Sequence, residues 1–164
     1  MFTVGDRIAH PMHGAGIIDS IETRKTDGRE REYYVLKIPV GGMSVMIPTE
    51  TSAQIGVRPI VDSDEAESIL KSIPDIEVNM TQNWNKRYRE NMLKIKSGDL
   101  MEVAEVVKGL MQRETDRGLS TGERKMLHSA KQILISEIVL SQSSSYEEIE
   151  RRLNTAMTCE AETA

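Results

Sequence analysis

The strongest constraint on the fold is a change of hydrophobic period near Pro59. Before Pro59, short runs of β-branched and aromatic residues alternate with turn signals such as Thr26-Asp27-Gly28 and Gly41-Gly42. Such runs are typical of strands. After Pro59, apolar residues recur at spacings of three and four, which is typical of amphipathic helices. The sequence therefore predicts a β module followed by a helical module, an α+β fold.

The β module is predicted over residues 1–56, and short strands with close turns favour a small barrel or a strongly bent sheet. We expect a linker at 57–61, a helical domain at 62–157 and a flexible tail at 158–164. The predicted strands are 4–8, 16–23, 31–38 and 43–47. The predicted helix N-caps are Asp62 or Ser63, Asn83 or Trp84, Asp99, and Ser120, which forms a capping box with Glu123.

Charge is distributed unevenly along the chain. The net charge of -5 argues against a strongly basic nucleic-acid binder. The segment 62–77 is acidic, whereas 84–96 carries five cations against one glutamate. Because salt limits the reach of distant charges to roughly 8–10 Å, a local basic face still attracts phosphates.

Residue patterns for catalysis are missing from the sequence. His10 and His13 flank Pro11 without a cysteine or acidic pair at zinc spacing, and Cys159 has no histidine partner nearby in sequence. We therefore expect no enzyme activity, metal or cofactor. A single cysteine and the lack of an apolar run of about 18 residues favour a cytoplasmic protein.

The segment 81–89 carries the most information, because it contains the single tryptophan, Trp84, preceded by polar residues and followed by cations. In a helix over 84–96, Tyr88 shares a buried face with Met92 and Ile95, while Lys86 and Arg89 point outward. Trp84 then has two interpretations. It extends the buried stripe, or it is an exposed wedge beside phosphate-binding cations, as in proteins that insert apolar side chains into the minor groove.

Several motifs in chain order resemble the CarD/CdnL family of bacterial transcription regulators, from about Phe2 to about Leu153. In the helical module they are Trp84–Asn91, Lys96–Asp99, Val103–Val107, Arg117–Ser120 and Gly122–Leu127. In the β module they are Val4–Asp6, Pro11 with His13-Gly14, Ile21–Arg24, Tyr34–Lys37 and Gly56–Arg58. The resemblance implies a Tudor/SH3-like β-barrel that binds RNA polymerase and a helical domain that binds promoter DNA.

The resemblance also implies roles for individual residues. Trp84 matches the family's wedge at the upstream edge of the transcription bubble, where it stabilises the open complex. The matching DNA-facing cations are Lys86, Arg89 and Arg124, with Arg87 and Lys125 as helpers. Polymerase contacts are Arg24 and the edge strand with Met43, Val45 and Met46, which would pair with the β subunit. The sequence departs from the family at Met46, where some relatives have arginine, and at His10, where an aromatic residue is common.

The partners implied are the RNA polymerase β subunit and promoter DNA, bound in the minor groove and largely without sequence preference. We expect the free protein to be a monomer and to associate with the nucleoid through polymerase. The alternative is an adaptor on polymerase whose helical domain binds another protein, with Trp84 as an interface anchor.

Overall fold

The computed structural model describes residues 1–158, which form an antiparallel sheet followed by helices and confirm the predicted α+β fold. The strands of this part of the chain are β1 (Arg7–His10), β2 (Gly14–Thr26), β3 (Arg29–Ile38), β4 (Met43–Pro48) and β5 (Arg58–Pro59), in the sheet order β4-β3-β2-β1-β5. The helices are α1 (Ser52–Ile55), α2 (Ser63–Ser72), α3 (Trp84–Lys96), α4 (Leu100–Arg117), α5 (Thr121–Gln142) and α6 (Tyr146–Thr158).

A long hairpin of β2 and β3 dominates the sheet. Its turn residues Asp27 and Gly28 both have positive φ, 54° and 76°, as a type I′ turn requires, so the predicted Asp-Gly turn is confirmed. Alternate residues of β3, Tyr34, Leu36 and Ile38, are buried and form the centre of a small core with Ile8 and other apolar residues. The β module is therefore a sheet with one buried face and one exposed face.

The helical module surrounds α4 and α5, whose apolar residues form the larger core with contributions from α2, α3 and α6. Helix starts follow the predicted caps. The side chains of Asp62, Asn83, Asp99 and Ser120 each accept a backbone N–H from the first turn of α2, α3, α4 and α5. No helix within residues 1–158 is long and apolar enough to cross a membrane.

The segment 57–61, expected to be a linker, is part of the folded structure. Val57 is buried and Arg58–Pro59 form β5, which pairs with β1. This strand covers backbone groups of β1 that an open edge would leave unpaired. The predicted tail also differs at its first residue, because Thr158 ends α6, whereas 159–164, including Cys159, lie outside the described residues.

Candidate nucleic-acid interface

Trp84 is the first residue of α3 and is held on two sides. Its ring stacks on Tyr88 with centroids 5.1 Å apart and an interplanar angle of 18°. Its indole Nε1 donates a hydrogen bond to Ser120 Oγ at 3.0 Å. The residue is nevertheless 42% exposed. The indole is thus attached to the helical core without being enclosed by it.

Gly122, in the first turn of α5, lies beside the stacked rings of Trp84 and Tyr88. A Cβ atom at this position would lie 3.7 Å from Trp84 Cζ2 and 3.8 Å from the Cε2 atom of Tyr88. Any longer side chain directed this way would meet the two stacked rings. A Cβ alone would make ordinary van der Waals contact, so this position excludes only larger side chains directed at the rings.

Arg87, predicted as a helper in DNA binding, does not face solvent in this structure. It is 1% exposed, and its Nε and Nη2 donate to the Glu123 carboxylate at 2.8 and 3.0 Å. Its Nη1 donates to the carbonyl oxygens of Thr81 and Gln82, each at 3.1 Å. Three residues after Trp84, this side chain turns toward α5, where Glu123 neutralises it. Arg87 therefore ties α3 to α5 and to the segment before α3.

Glu123 completes only half of the predicted capping box. The Ser120 hydroxyl accepts the Glu123 backbone N–H at 3.2 Å, but the Glu123 carboxylate binds Arg87. Its hydrogen bonds with the Arg87 guanidinium hold the pKa of Glu123 below its usual range, with a further contribution from the nearby charge of Arg113. The Ser120 hydroxyl also lies 3.5 Å from Glu123 Oε1 as a weak donor. One polar network thus connects the indole to the buried ion pair.

Four of the predicted DNA-facing cations are exposed in the first turns of the two helices: Lys86 and Arg89 on α3, and Arg124 and Lys125 on α5. Arg124 lies one helical turn beyond Ser120, and Lys125 lies one turn beyond Gly122, so both line the part of α5 beside the indole. The N-termini of α3 and α5 meet at the indole as well, and helix N-termini favour anions. Arg117, exposed at the end of α4, is a further cation that was not among the predicted DNA-facing residues.

The predicted polymerase contacts all lie on the β module, but they are spread along the length of its sheet. β4 is an edge strand, because it neighbours only β3 among the strands of residues 1–158. Met43 is 44% exposed, whereas Val45 turns inward onto the β core and Met46 lies half-buried opposite Val35. A partner that binds at the β4 edge can therefore reach the backbone of the strand and only some of its side chains.

Arg24 lies in the part of the hairpin that extends past β4. It pairs with Arg31, whereas Met43 pairs with Ile38, seven residues further along β3. At the rise of a strand this separates the two levels by about 23 Å. Arg24 also binds exposed Glu22 at 3.3 Å. A partner that contacts both Arg24 and Met43 must therefore span the length of the sheet.

The turn at His10, the second departure from the family pattern, is compact. Its Nδ1 accepts the Met12 N–H at 3.1 Å, and its ring lies 4.5 Å from that of His13. Burial, with the neighbouring His13, lowers the pKa of His10 to about 4. No cluster of three or more potential metal ligands occurs within residues 1–158.

Comparisons with known proteins identify the family to which both modules belong. Residues 68–154 match the CarD C-terminal domain, and residues 2–61 match the CarD-like/TRCF RID domain. A Bacillus subtilis (strain 168) protein named "Putative transcription factor YdeB" is 39% identical over 138 residues, which cover 84% of this chain and 90% of that protein. The chain belongs to the CarD/CdnL family. This CarD-type protein is therefore a transcription factor, and its family is one of transcription factors and not of enzymes. The match to the RID domain indicates an interaction with RNA polymerase.

The N-terminal domain of Myxococcus xanthus CarD, solved by NMR, is also similar to this CarD-family chain. It is 27% identical, and the match covers 36% of this chain and 79% of that domain with a TM-score of 0.32.

Proposed function

We propose that this protein binds the RNA polymerase β subunit through its β module and stabilises the open promoter complex through its helical module. Trp84 is the wedge at the upstream edge of the bubble, and neighbouring cations hold the DNA backbone. The observation that carries the proposal is the attached but exposed indole, which is 42% exposed where the N-termini of α3 and α5 meet.

The way Trp84 is held suits a wedge. Because Tyr88 covers one face of the indole and Ser120 fixes its edge, little side-chain freedom is lost when the exposed part meets a base. Stacking of a base on an aromatic side chain contributes about 1–3 kcal/mol. That contribution favours the open duplex over the closed one, since only an unstacked base offers its face.

The same hydrogen bond supports DNA binding without sequence preference. The indole has one donor, and Ser120 already accepts it. The ring then offers a base only a flat apolar surface, which every base can stack on. Discrimination between base pairs would need a free donor or acceptor directed at a groove edge.

Phosphate contacts come from the exposed cations Lys86, Arg89, Arg124 and Lys125, without Arg87. An acidic chain can use this surface because binding to polymerase raises the local concentration of the helical module near DNA to about the millimolar range. Weak DNA binding by the free monomer is then sufficient.

On the polymerase side, the open edge of β4 supports strand addition by the β subunit. Val45 contributes through its backbone, because its side chain lies on the β core. Met46 supplies an apolar contact where some relatives have an arginine. Arg24, at 61% side-chain exposure, adds a charged contact from the extended hairpin.

One observation favours the alternative, an adaptor that binds another protein. Leu93 on α3 is 63% exposed, and a DNA wedge assigns it no contact. A protein partner that uses Trp84 as an anchor and also covers Leu93 would have to reach around α3, because nine helical residues place the two side chains about 180° apart.

Crosslinking distinguishes the two functions. A photoreactive amino acid at position 84 is placed in promoter complexes formed with RNA polymerase, and the crosslinked species are identified. The wedge predicts crosslinks to promoter DNA at the upstream bubble edge, with matching protection in a footprint. Crosslinks to polypeptide alone would establish the adaptor instead.

A further inference from the structure

The two modules meet at Arg58, in the segment expected to be a linker. Arg58 lies on β5, where it pairs with Ala9 of β1. Its Nη1 and Nη2 donate to Glu137 of α5 at 2.7 and 2.9 Å, a bidentate ion pair. Its Nε donates to the carbonyl oxygen of Gly98, between α3 and α4, at 2.9 Å. One guanidinium thus connects the sheet to two parts of the helical module.

The hydrogen bonds of the Glu137 carboxylate all go to this junction. Its side chain is 2% exposed, and besides the guanidinium it accepts the Val61 N–H at 2.9 Å. Ser141, one turn further along α5, donates to the Val61 carbonyl oxygen at 2.7 Å. A buried carboxylate is stable only when its charge and lone pairs are satisfied, and here every partner outside α5 comes from residues 58–61.

Two further contacts join the β module to the same stretch of α5. The Ala15 N–H of β2 donates to Ser136 Oγ at 2.9 Å, and Arg7 Nη1 of β1 donates to the Leu140 carbonyl oxygen at 2.7 Å. Gly14 allows this approach, because a Cβ there would lie 2.5 Å from Ser136 Oγ and its φ is +101°. Strands β1, β2 and β5 therefore all bind residues 136–141 of α5.

The other end of α5 lies at the candidate interface. Its N-cap, Ser120, holds the Trp84 indole, seventeen residues before Glu137. At 1.5 Å per residue, α5 separates these two points by about 25 Å. One continuous helix thus joins the indole to the β module.

We propose that Arg58 and Glu137 are positioning residues that hold the two modules as one body and so fix Trp84 relative to the polymerase-binding edge. The positional claim stands on the contacts above, and its consequence for promoters rests on the proposed function. A flexible linker would supply only local concentration, whereas a rigid junction also sets the direction in which the wedge approaches DNA.

The positional claim is tested by distances between spin labels. Labels are placed by Lys37→Cys on exposed β3 and Arg124→Cys near the start of α5, in a full-length Cys159→Ser background. The paired change Arg58→Met with Glu137→Leu removes both charges together, so that neither is left buried alone. We expect one narrow distance distribution for the unmodified junction and a distribution at least twofold broader for the paired variant.

A matched control comes from a second bidentate pair within the helical module. Arg152 donates to Glu67 between α6 and α2, away from the module junction. Arg152→Met with Glu67→Leu should keep the narrow distribution. An unchanged distribution in the Arg58/Glu137 variant, or equal broadening in the control, would overturn the positioning role.

The consequence for function is measured separately, without spin labels. We expect the Arg58/Glu137 variant to bind polymerase with unchanged affinity, while the open-complex lifetime falls toward that seen without the protein. A lifetime equal to that with the wild type would overturn the positioning claim for promoters. If the wild type itself leaves the lifetime unchanged, the proposed function fails, and the distance measurement still decides whether the junction is rigid.

Discussion

The indole nitrogen of Trp84 donates to the Ser120 hydroxyl at 3.0 Å, and 36 residues separate the two positions in the chain. Ser120 therefore has two roles, because it is also the N-cap of α5. The bond connects the start of α3 to the start of α5. Its loss should increase the mobility of the indole and have little effect on the rest of the fold.

Ser120→Gly separates these two roles. Glycine is an acceptable N-cap, so the free energy of unfolding should fall by only a few tenths of a kcal/mol, but the indole loses its acceptor. Because Trp84 is the single tryptophan, time-resolved fluorescence anisotropy reports its motion directly. We expect a faster local depolarisation in Ser120→Gly and wild-type behaviour in Ser120→Thr, which keeps the hydroxyl. Identical anisotropy decays in all three proteins would contradict the anchoring role.

Local signals predicted most of the fold. The Asp27-Gly28 turn, the period change after Pro59 and the N-caps all depend on neighbours in sequence, and each is present in the structure. The two-residue strand β5 has no periodic signal, since its formation depends on pairing with β1 and on Glu137, far along the chain.

The position of Trp84 at the start of α3 was predictable from the sequence, but the contacts around it were not. A basic helix that begins at the single tryptophan indicated this surface of the helical module as the candidate site. The direction of Arg87 depends on Glu123, which lies 36 residues away, and a run of cations in sequence does not distinguish the one that is buried. The capping-box pattern of Ser120 and Glu123 predicted a local bond for the carboxylate, but the buried guanidinium is the stronger partner.

Arg87 and Lys86 are adjacent in sequence, but replacing each of them with alanine should change the free energy of unfolding by very different amounts. Arg87→Ala leaves the buried Glu123 carboxylate without its partner, so we expect the free energy of unfolding to fall by about 3–5 kcal/mol. Lys86→Ala removes an exposed cation and should change it by less than about 0.5 kcal/mol. Denaturant unfolding measures both.

The DNA affinity of the same two variants is measured as a function of salt concentration. Lys86→Ala should reduce the salt dependence of binding by about one phosphate contact while sequence preference stays the same. Equal stability of Arg87→Ala and Lys86→Ala, together with a reduced salt slope in both, would show that Arg87 faces DNA after all.

Glu67 predicts a pH dependence of stability. Hydrogen bonds from Arg152 lower the pKa of Glu67 from 4.5 to about 2 in the folded protein. The unfolded chain then binds this proton more readily, so the contribution to stability is present above pH 4.5 and is lost as the pH falls toward 2. Glu67→Gln should lower stability at pH 7 and flatten this part of the profile, as measured by denaturant unfolding between pH 7 and 2.5. Parallel profiles for the variant and the wild type would contradict the assignment.

Trp84→Ala tests the wedge directly. The indole lies at the surface of the helical module, and the proposed polymerase contacts lie on the β module, so polymerase binding should be unchanged while the open-complex lifetime shortens. A loss of about 1–3 kcal/mol of stacking corresponds to a lifetime roughly five- to 150-fold shorter. Leu93→Ala, which removes the other exposed apolar side chain of α3, is the matched control and should keep the wild-type lifetime. Shorter lifetimes in both variants would favour the adaptor, and an unchanged lifetime in Trp84→Ala would exclude the wedge.

Arg24→Glu tests the polymerase side with a matched neighbour. Arg24 and Lys25 are both exposed on β2, and because successive side chains of a strand point to opposite faces, the same charge reversal can be made on either face of the hairpin. If polymerase contacts the Arg24 face, Arg24→Glu replaces an attraction with a repulsion and should weaken binding at least tenfold, about 1.4 kcal/mol. Lys25→Glu should have a smaller effect, and circular dichroism should show both proteins folded. Equal binding by the two variants would exclude Arg24 as a specific contact and would leave the β4 edge as the part of the β module that holds polymerase.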